Sequence, residues 1–391
     1  MSRLKTASSA CLASARTVPS LNSHVRAHRD HRHASSSAGP SKGPKFDEVV
    51  FSGIQPSGIP HIGNYLGLFL PFLELQSSLP RSTPLYLSIV GLHAITLPRD
   101  PNILRQERMD MLAALLACGV DPERTCLFYQ EDIPEHAELA WILNTLTPVG
   151  RLQRMTTWKS QIATRTSSSP DQITDLDLKL GLLAYPTLQS ADIMLYKSTI
   201  VPVGEDQTQH LELARDTAEA FNRAYGDIFP LPQTRIVPSK RILSLRDPSA
   251  KMSKSAPLAA SRIVLTDPPE AIRKAVKTAV TDSEPSIKFD PEGRPGVSNL
   301  LLIWSSLDPS GQTPEQLAEQ AQKDGWGMAK LKDAVTDVVV ERFGNIRAEY
   351  ERIRQEKGWL SQIAGQGRAK AGEVAKKTME EVRRAVGIDK L

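Results

Sequence analysis

Between Lys45 and about Arg246 the chain alternates short apolar runs with stretches of helical period. Glu48 to Ile54, Leu85 to Leu92, Cys126 to Gln130 and Ile200 to Val203 have the length and composition of strands in a buried sheet. Between the second and third, Asp100-Pro101 offers an N-cap and a first-turn proline, Leu104, Met111, Leu112 and Leu115 fall on one face, and Gly119 can close the helix. This alternation predicts an α/β fold, a doubly wound, Rossmann-like parallel sheet over residues 46–246, with ligand at the carboxyl ends of its strands. Ser160 to Asp177, with Thr166-Ser167-Ser168-Ser169-Pro170, breaks the rhythm and reads as a flexible loop beside the site. From residue 259 to 391 the pattern is helical. Thr313-Pro314-Glu315-Gln316 combines an N-cap, a first-turn proline and a capping-box glutamine, and Ala371 to Val386 repeats small and apolar residues on one face while Lys376, Lys377, Arg383 and Arg384 stay outside it.

Composition changes this picture at one end of the chain. The 391 residues carry a net charge of +4, but residues 1–45 hold eight Lys or Arg against the single acid Asp30, so the remainder is slightly acidic. A body of that charge does not hold nucleic acid by bulk attraction, and any nucleic-acid contact needs local basic patches. The first 45 residues are rich in Ser, Ala, Arg and His with no continuous apolar stretch, the composition of a mitochondrial transit peptide, so the mitochondrial matrix is the expected location. The alternative, a basic RNA-binding arm, lacks any aromatic residue for base stacking. No apolar run approaches the roughly 20 residues a bilayer span needs, and no membrane association is expected. Cys11, Cys118 and Cys126 have no metal-ligand spacing and suit a reducing compartment.

Candidate chemistry lies in two short segments. His61-Ile62-Gly63-Asn64 follows the strand-like Val49-Val50-Phe51 and the turn Gln55-Pro56-Ser57-Gly58, so Gly63 would open a helix whose free N–H groups face a polyphosphate. Lys251-Met252-Ser253-Lys254-Ser255 follows the turn Leu245-Arg246-Asp247-Pro248 and puts two ammonium groups and two hydroxyls on a loop, residues 247–258. A His before Ile-Gly is by itself more often a capping residue, and a Lys-rich pentamer more often solvated surface. In this order and together, the two segments resemble the paired HIGH and KMSKS signatures of class I aminoacyl-tRNA synthetases.

A third constellation, Tyr185-Pro186-Thr187-Leu188-Gln189-Ser190-Ala191-Asp192-Ile193 followed by Val203-Gly204-Glu205-Asp206-Gln207, narrows the resemblance. A carboxylate facing an apolar pocket needs a donor to offset its desolvation, and an indole N–H is one. With His93-Ala94-Ile95-Thr96 and Ala279-Val280-Thr281-Asp282-Ser283-Glu284, the chain is similar to bacterial-type tryptophanyl-tRNA synthetases from about Val50 to its end. The resemblance implies catalytic roles for His61, Asn64, Lys251 and Lys254, and ATP binding by Gly53, Gln55, Gly63, Asp206, Met252, Ser253 and Ser255. It also implies tryptophan binding by Asp192 on the indole N–H, Phe51 and His93 beside the ring, and Tyr185 and Gln207 on the α-amino group. ATP, Mg²⁺ held mostly by ATP with no protein metal site, L-tryptophan, tRNA(Trp) bound through a helical anticodon-binding region and a homodimer complete what it implies. A tyrosine-tRNA ligase shares Tyr185, Gln189 and Asp192 but favours Gly-Ser-Asp-Gln where this chain has Gly204-Glu205-Asp206-Gln207. A non-catalytic tRNA-binding factor derived from a synthetase is the other alternative, against which the intact His61, Lys251, Lys254 and Asp192 stand. The chain departs from the family pattern at Gly91, where an acidic residue is usual, at Ala256, where Asp is usual, and at Gln161, where a lysine is common and Arg165 is a candidate replacement.

Overall fold

The computed structural model describes residues 46–155, 158, 178–204, 207–236, 241–254, 256 and 258–390. The leader, the loop from Ser160 to Asp177, and Asp206, Ser255, Gln161 and Arg165 lie outside the described residues. What is described falls in one compact unit, Pro44–Leu391.

Five parallel strands form the sheet: β1 Val50–Ile54, β2 Leu85–Ile89, β3 Cys126–Tyr129, β4 Ile200–Val203 and β5 Gln233–Ile236. Their order is β3-β2-β1-β4-β5, with Phe51 opposite Tyr86, Gly53 opposite Ser88 and Val50 opposite both Leu85 and Ile200. The chain thus winds outward one way through β2 and β3 and the other way through β4 and β5. A crevice opens at the carboxyl ends where the direction switches, between β1 and β4. Alternate side chains serve two cores: Val50, Ile54, Leu85, Leu87 and Ile89 face one, Phe51, Tyr86, Phe128 and Val201 the other. Each fully buried side chain of this size contributes about 1.5–3 kcal/mol.

Four strands stand close to where the apolar runs predict them, and β5 was not foreseen. Gln-Thr-Arg-Ile has one apolar residue in four, and it becomes a strand because β4 offers it an unpaired edge. The second run is shorter than expected. β2 stops at Ile89 and Gly91–Ala94 form a helical turn instead, because the N–H groups of Gly91 and Leu92 are taken by the side chains of Glu131 and Gln130 rather than by a neighbouring strand.

The helix Pro101–Ala117 starts as its sequence demands, Asp100 Oδ1 accepting from the N–H groups of Asn102 and Ile103, and Gly119 follows its end at φ +106°. Thr313 and Gln316 form the expected reciprocal cap. The last helix runs from Lys357 to Val386, well upstream of the predicted start at Ala371. Glycines at 358, 365 and 367 obscured its first half, and Gly367 has a packing reason: a Cβ there would lie 2.7 Å from the Leu127 carbonyl carbon, so only glycine lets this helix close over β3. No described helix is long and apolar enough to cross a membrane.

Candidate active site

The crevice is lined on one side by the segment after β1. His61 caps a helix that begins Ile62–Asn64, widens to a π turn at Tyr65–Phe69 and continues as Leu70–Ser78. Pro71 accounts for the π turn, since it brings no N–H to the helical ladder and its ring crowds the turn before it. His61 Nδ1 accepts from Asn64 N–H at 3.3 Å, and Asn64 Oδ1 accepts from His61 N–H at 3.1 Å. The imidazole therefore carries its proton on Nε2. A Cβ at Gly63 would sit 2.9 Å from His61 Cε1, so glycine is what lets the ring lie back over its own helix. The expected row of free N–H groups is reduced by these contacts: Ile62 N–H donates to Ile263 O at 2.8 Å and Asn64 N–H is used by His61, leaving the Gly63 N–H for a ligand. Gly53 and Gln55 are both exposed at the carboxyl end of β1, although β1 is the middle strand, so the crevice opens directly over them.

The second signature arrives from the opposite side. Lys251 bridges to Leu243, Met252 N–H donates to Ile242 O at 3.0 Å, and the Met252 side chain is buried in the larger core. Residues 242–244 are fixed in turn by Asn299, which holds both the N–H and the carbonyl of Leu243. Lys251 and Ser253 are exposed. Lys254 reaches back across the crevice, its Nζ donating to Gly58 O at 2.7 Å and Ser57 Oγ at 3.3 Å. Ala256 O accepts from Arg262 at 2.9 Å. Burial, with the positive charges of Lys254, Arg262 and Lys251, lowers the His61 pKa to about 4, so His61 is a neutral N–H donor at physiological pH. Burial likewise lowers Lys254 to about 8, Glu107 pulling the other way.

A second cluster is built around Asp192, on the helix Leu180–Leu195 and 2% exposed. Its Oδ1 accepts from Gln130 Nε2 and pairs with His136 Nδ1, both at 2.7 Å, and its Oδ2 pairs with His93 Nε2 at 2.8 Å. Burial alone would raise its pKa, but the bonds from His136 and His93 bring it down to about 2. The carboxylate is thus ionised with three partners, leaving one acceptor position on Oδ2. His136 Nε2 meets Tyr196 OH at 2.8 Å, and the Tyr196 ring stacks on both Phe51 and Tyr86. Tyr185 packs edge-on to His93, 6.2 Å between ring centres, and its hydroxyl lies 2.9 Å from His210 Nε2. Gln207 is tied to the same helix by a long contact, 3.5 Å, from Gln189.

The structure brings Lys254 to Gly58, next to the His61 cap, and His93 to Asp192 with Tyr185 against His93, while Met252 is buried in the core and Gln207 contacts Gln189. Phe51 is stacked on Tyr196. Gln130, His136 and Tyr196 were not singled out from the sequence. The signal for His136 was present: a histidine on the helix Glu135–Asn144 beside the buried Leu139 and Leu143 needs a polar partner inside the protein.

A family model for class I tRNA synthetases of the tryptophan and tyrosine type matches residues 46–344. The chain belongs to this family. It is 43% identical over 343 residues to a tryptophan–tRNA ligase of Bacillus anthracis, covering 88% of this chain and 98% of that protein. It is 42% identical to the mitochondrial tryptophan–tRNA ligase of Saccharomyces cerevisiae, covering 87% and 90%. Among solved structures, a tryptophanyl-tRNA synthetase of Campylobacter jejuni complexed with ADP and tryptophan superposes with a TM-score of 0.70 at 31% identity over 87% of this chain and 99% of that one. Within the family, then, the chain is of the bacterial tryptophanyl type, and its fold and enzymatic class are those of a synthetase.

Proposed function

We propose that this protein is a tryptophan–tRNA ligase that activates L-tryptophan with ATP and transfers it to the 3′ end of tRNA(Trp) for mitochondrial translation. The observation that carries the chemistry is Lys254 reaching across the crevice to Gly58, three residues before His61, from a segment almost two hundred residues away, with Gly53 and Gln55 exposed nearby in the chain.

In the first step the tryptophan carboxylate attacks the ATP α-phosphate, and negative charge grows on the phosphate oxygens and the departing pyrophosphate. Catalysis is positioning plus charge neutralisation. Neutral His61 donates from Nε2, the Gly63 N–H adds a second donor, and Lys251 and Lys254 supply cations from the loop. Asn64 acts by fixing the His61 backbone, and Met252 by anchoring the loop. Mg²⁺ would come with ATP, held mostly by the nucleotide, and would supply charge neutralisation at the departing pyrophosphate. Asp192 accepts the indole N–H at its remaining Oδ2 position, with Phe51 and His93 on the ring side and Tyr185 and Gln207 on the α-amino group. In the second step the terminal ribose of the tRNA attacks the adenylate.

Residues 259–391 are proposed to read the anticodon stem, and residues 1–45 to direct import into the matrix, a reading supported by the basic leader and the yeast mitochondrial relative. A homodimer is part of this reading, as the family resemblance implies. The deciding experiment is ATP–pyrophosphate exchange with tryptophan, tyrosine and phenylalanine on the leaderless chain. Exchange with tryptophan alone is expected, and a preference for tyrosine would overturn the assignment.

A further inference from the structure

The turn Gly91–Ala94 carries His93 to Asp192, and two residues just beyond β3 grip its start. Gln130 Oε1 accepts from Leu92 N–H at 3.1 Å, while its Nε2 donates to Asp192. Glu131 Oε2 accepts from Gly91 N–H at 3.1 Å. The other Glu131 oxygen is ion-paired with Arg108, whose guanidinium lies 4.3 Å from the centre of the Tyr129 ring. These are the first N–H groups of a helical turn, which need acceptors from outside it.

Space makes the arrangement exclusive. A Cβ on residue 91 would lie 2.5 Å from Glu131 Cδ and 2.6 Å from its Oε1, so a side chain at 91 would have to displace the Glu131 carboxylate from its bond to the Gly91 N–H. The Arg108–Glu131 pair alone would be an ordinary half-exposed ion pair of small consequence. The second oxygen on a buried backbone N–H, one turn from the histidine that touches Asp192, gives it another use.

We infer that Glu131 is a positioning residue for the amino-acid pocket, and that Gly91 and Glu131 form one unit in which a single carboxylate, delivered from residue 131, occupies the place a side chain at residue 91 would take. The inference rests on the reading that this pocket takes tryptophan. Glu131 touches no substrate. It sets the height of the 91–94 turn and so the His93–Asp192 contact.

The test is tryptophan-dependent pyrophosphate exchange and thermal melting of the wild type, Glu131→Ala, Glu131→Gln, Gly91→Asp and the double variant Gly91→Asp/Glu131→Ala. Glu131→Ala should raise the KM for tryptophan about 10-fold, the loss expected for one hydrogen bond to a charged group, and change the KM for ATP less than about 2-fold. Glu131→Gln, which keeps an oxygen for Gly91 N–H, should recover to within about 3-fold of the wild type. Gly91→Asp should be the worst single variant, and removing Glu131 in its presence should restore activity rather than lower it further, a coupling opposite in sign to additivity. An unchanged tryptophan KM in Glu131→Ala, equal losses for both substrates with a lowered melting point, or a double variant no better than the product of the singles would each overturn the clamp. A wild type that shows no tryptophan-dependent exchange would overturn the substrate reading and the clamp with it, whereas an active wild type with additive variants overturns the clamp alone.

Discussion

The two sides of the crevice solve opposite electrostatic problems. Around Asp192 one buried anion is met by three partners, two of them imidazoles, and its pKa falls to about 2 despite full burial. Around His61 burial, helped by the charges of Lys254, Arg262 and Lys251, pushes the histidine down to about 4, and burial lowers Lys254, which rests on neutral oxygens, to about 8. The amino-acid side is satisfied by the fold itself, so its geometry is preorganised. In the proposed reading a polyphosphate bound beside His61 and Lys254 would offset the burial of their charged forms. On that same reading, selection of the amino acid is a property of packed helices, and acceleration a property of a loop.

The sharpest way to break the first side is Asp192→Asn. An amide keeps one acceptor oxygen and turns a donor toward partners that already donate, leaving a buried polar group unmet. We expect kcat/KM for tryptophan to fall on the order of 10²-fold to 10³-fold, as for other uncompensated buried charge pairs. A loss below about 1 kcal/mol in transition-state free energy would reduce Asp192 to a structural residue. The folded pKa lies below the ordinary value of 3.8, so the stabilisation is present above that value and is lost as pH falls toward 2. Acid titration of the melting point should show this loss in the wild type and not in the variant.

The second side is broken by Lys254→Ala. The ammonium meets charge that grows on the departing pyrophosphate, so removing it should lower the rate of adenylate formation about 10²-fold while changing the KM for ATP much less. Rapid-quench measurement at saturating ATP decides this. A variant whose full rate returns on raising ATP would show Lys254 to be a ground-state ligand only.

The same contrast explains what was legible in the sequence. The nucleotide side is carried by contiguous signatures, because a helix start and a loop each gather their groups within five residues, and His61, Gly63, Lys251 and Lys254 could be named at once. The support of Asp192 is assembled from β3, the helix Glu135–Asn144 and the end of the helix Leu180–Leu195. Gln130 and Tyr196 carry no local pattern that distinguishes them from core residues, and His136 signals itself only as a histidine beside the buried Leu139 and Leu143. The sheet was legible where apolar runs are long, and β5 was not, since its strand state comes from β4 rather than from its own four residues. The spent N–H groups of Ile62 and Asn64 were likewise invisible, because one acceptor, Ile263, is some two hundred residues away.

The pH dependence sharpens the comparison further. A Lys254 pKa lowered to about 8 means that its charge is lost as pH rises through that value, so kcat/KM for ATP should fall about tenfold per pH unit above it. Bound phosphate stabilises the ammonium, so the corresponding limb in kcat should lie at higher pH. Lys254→Arg, which stays charged, should abolish the limb whatever it costs in rate. His61, at about 4, should contribute no limb near pH 6.5.

The smallest effect is expected from Tyr196→Phe, and it is the most specific test of the amino-acid side. The change keeps the ring between Phe51 and Tyr86 and removes only the hydroxyl that meets His136 Nε2 at 2.8 Å. His136 then keeps its bond to Asp192 but loses the partner that fixes the ring's tautomer and angle. One neutral buried hydrogen bond is worth about 1 kcal/mol, so the KM for tryptophan should rise about 5-fold. The KM for ATP and the pH limb near 8 should be unchanged, because no contact of Tyr196 reaches the loop. Isothermal titration with tryptophan alone checks the binding part without turnover. Equal losses for tryptophan and ATP would mean that the two sides of the crevice are one coupled unit, and the division between a preorganised pocket and an induced nucleotide site would fail.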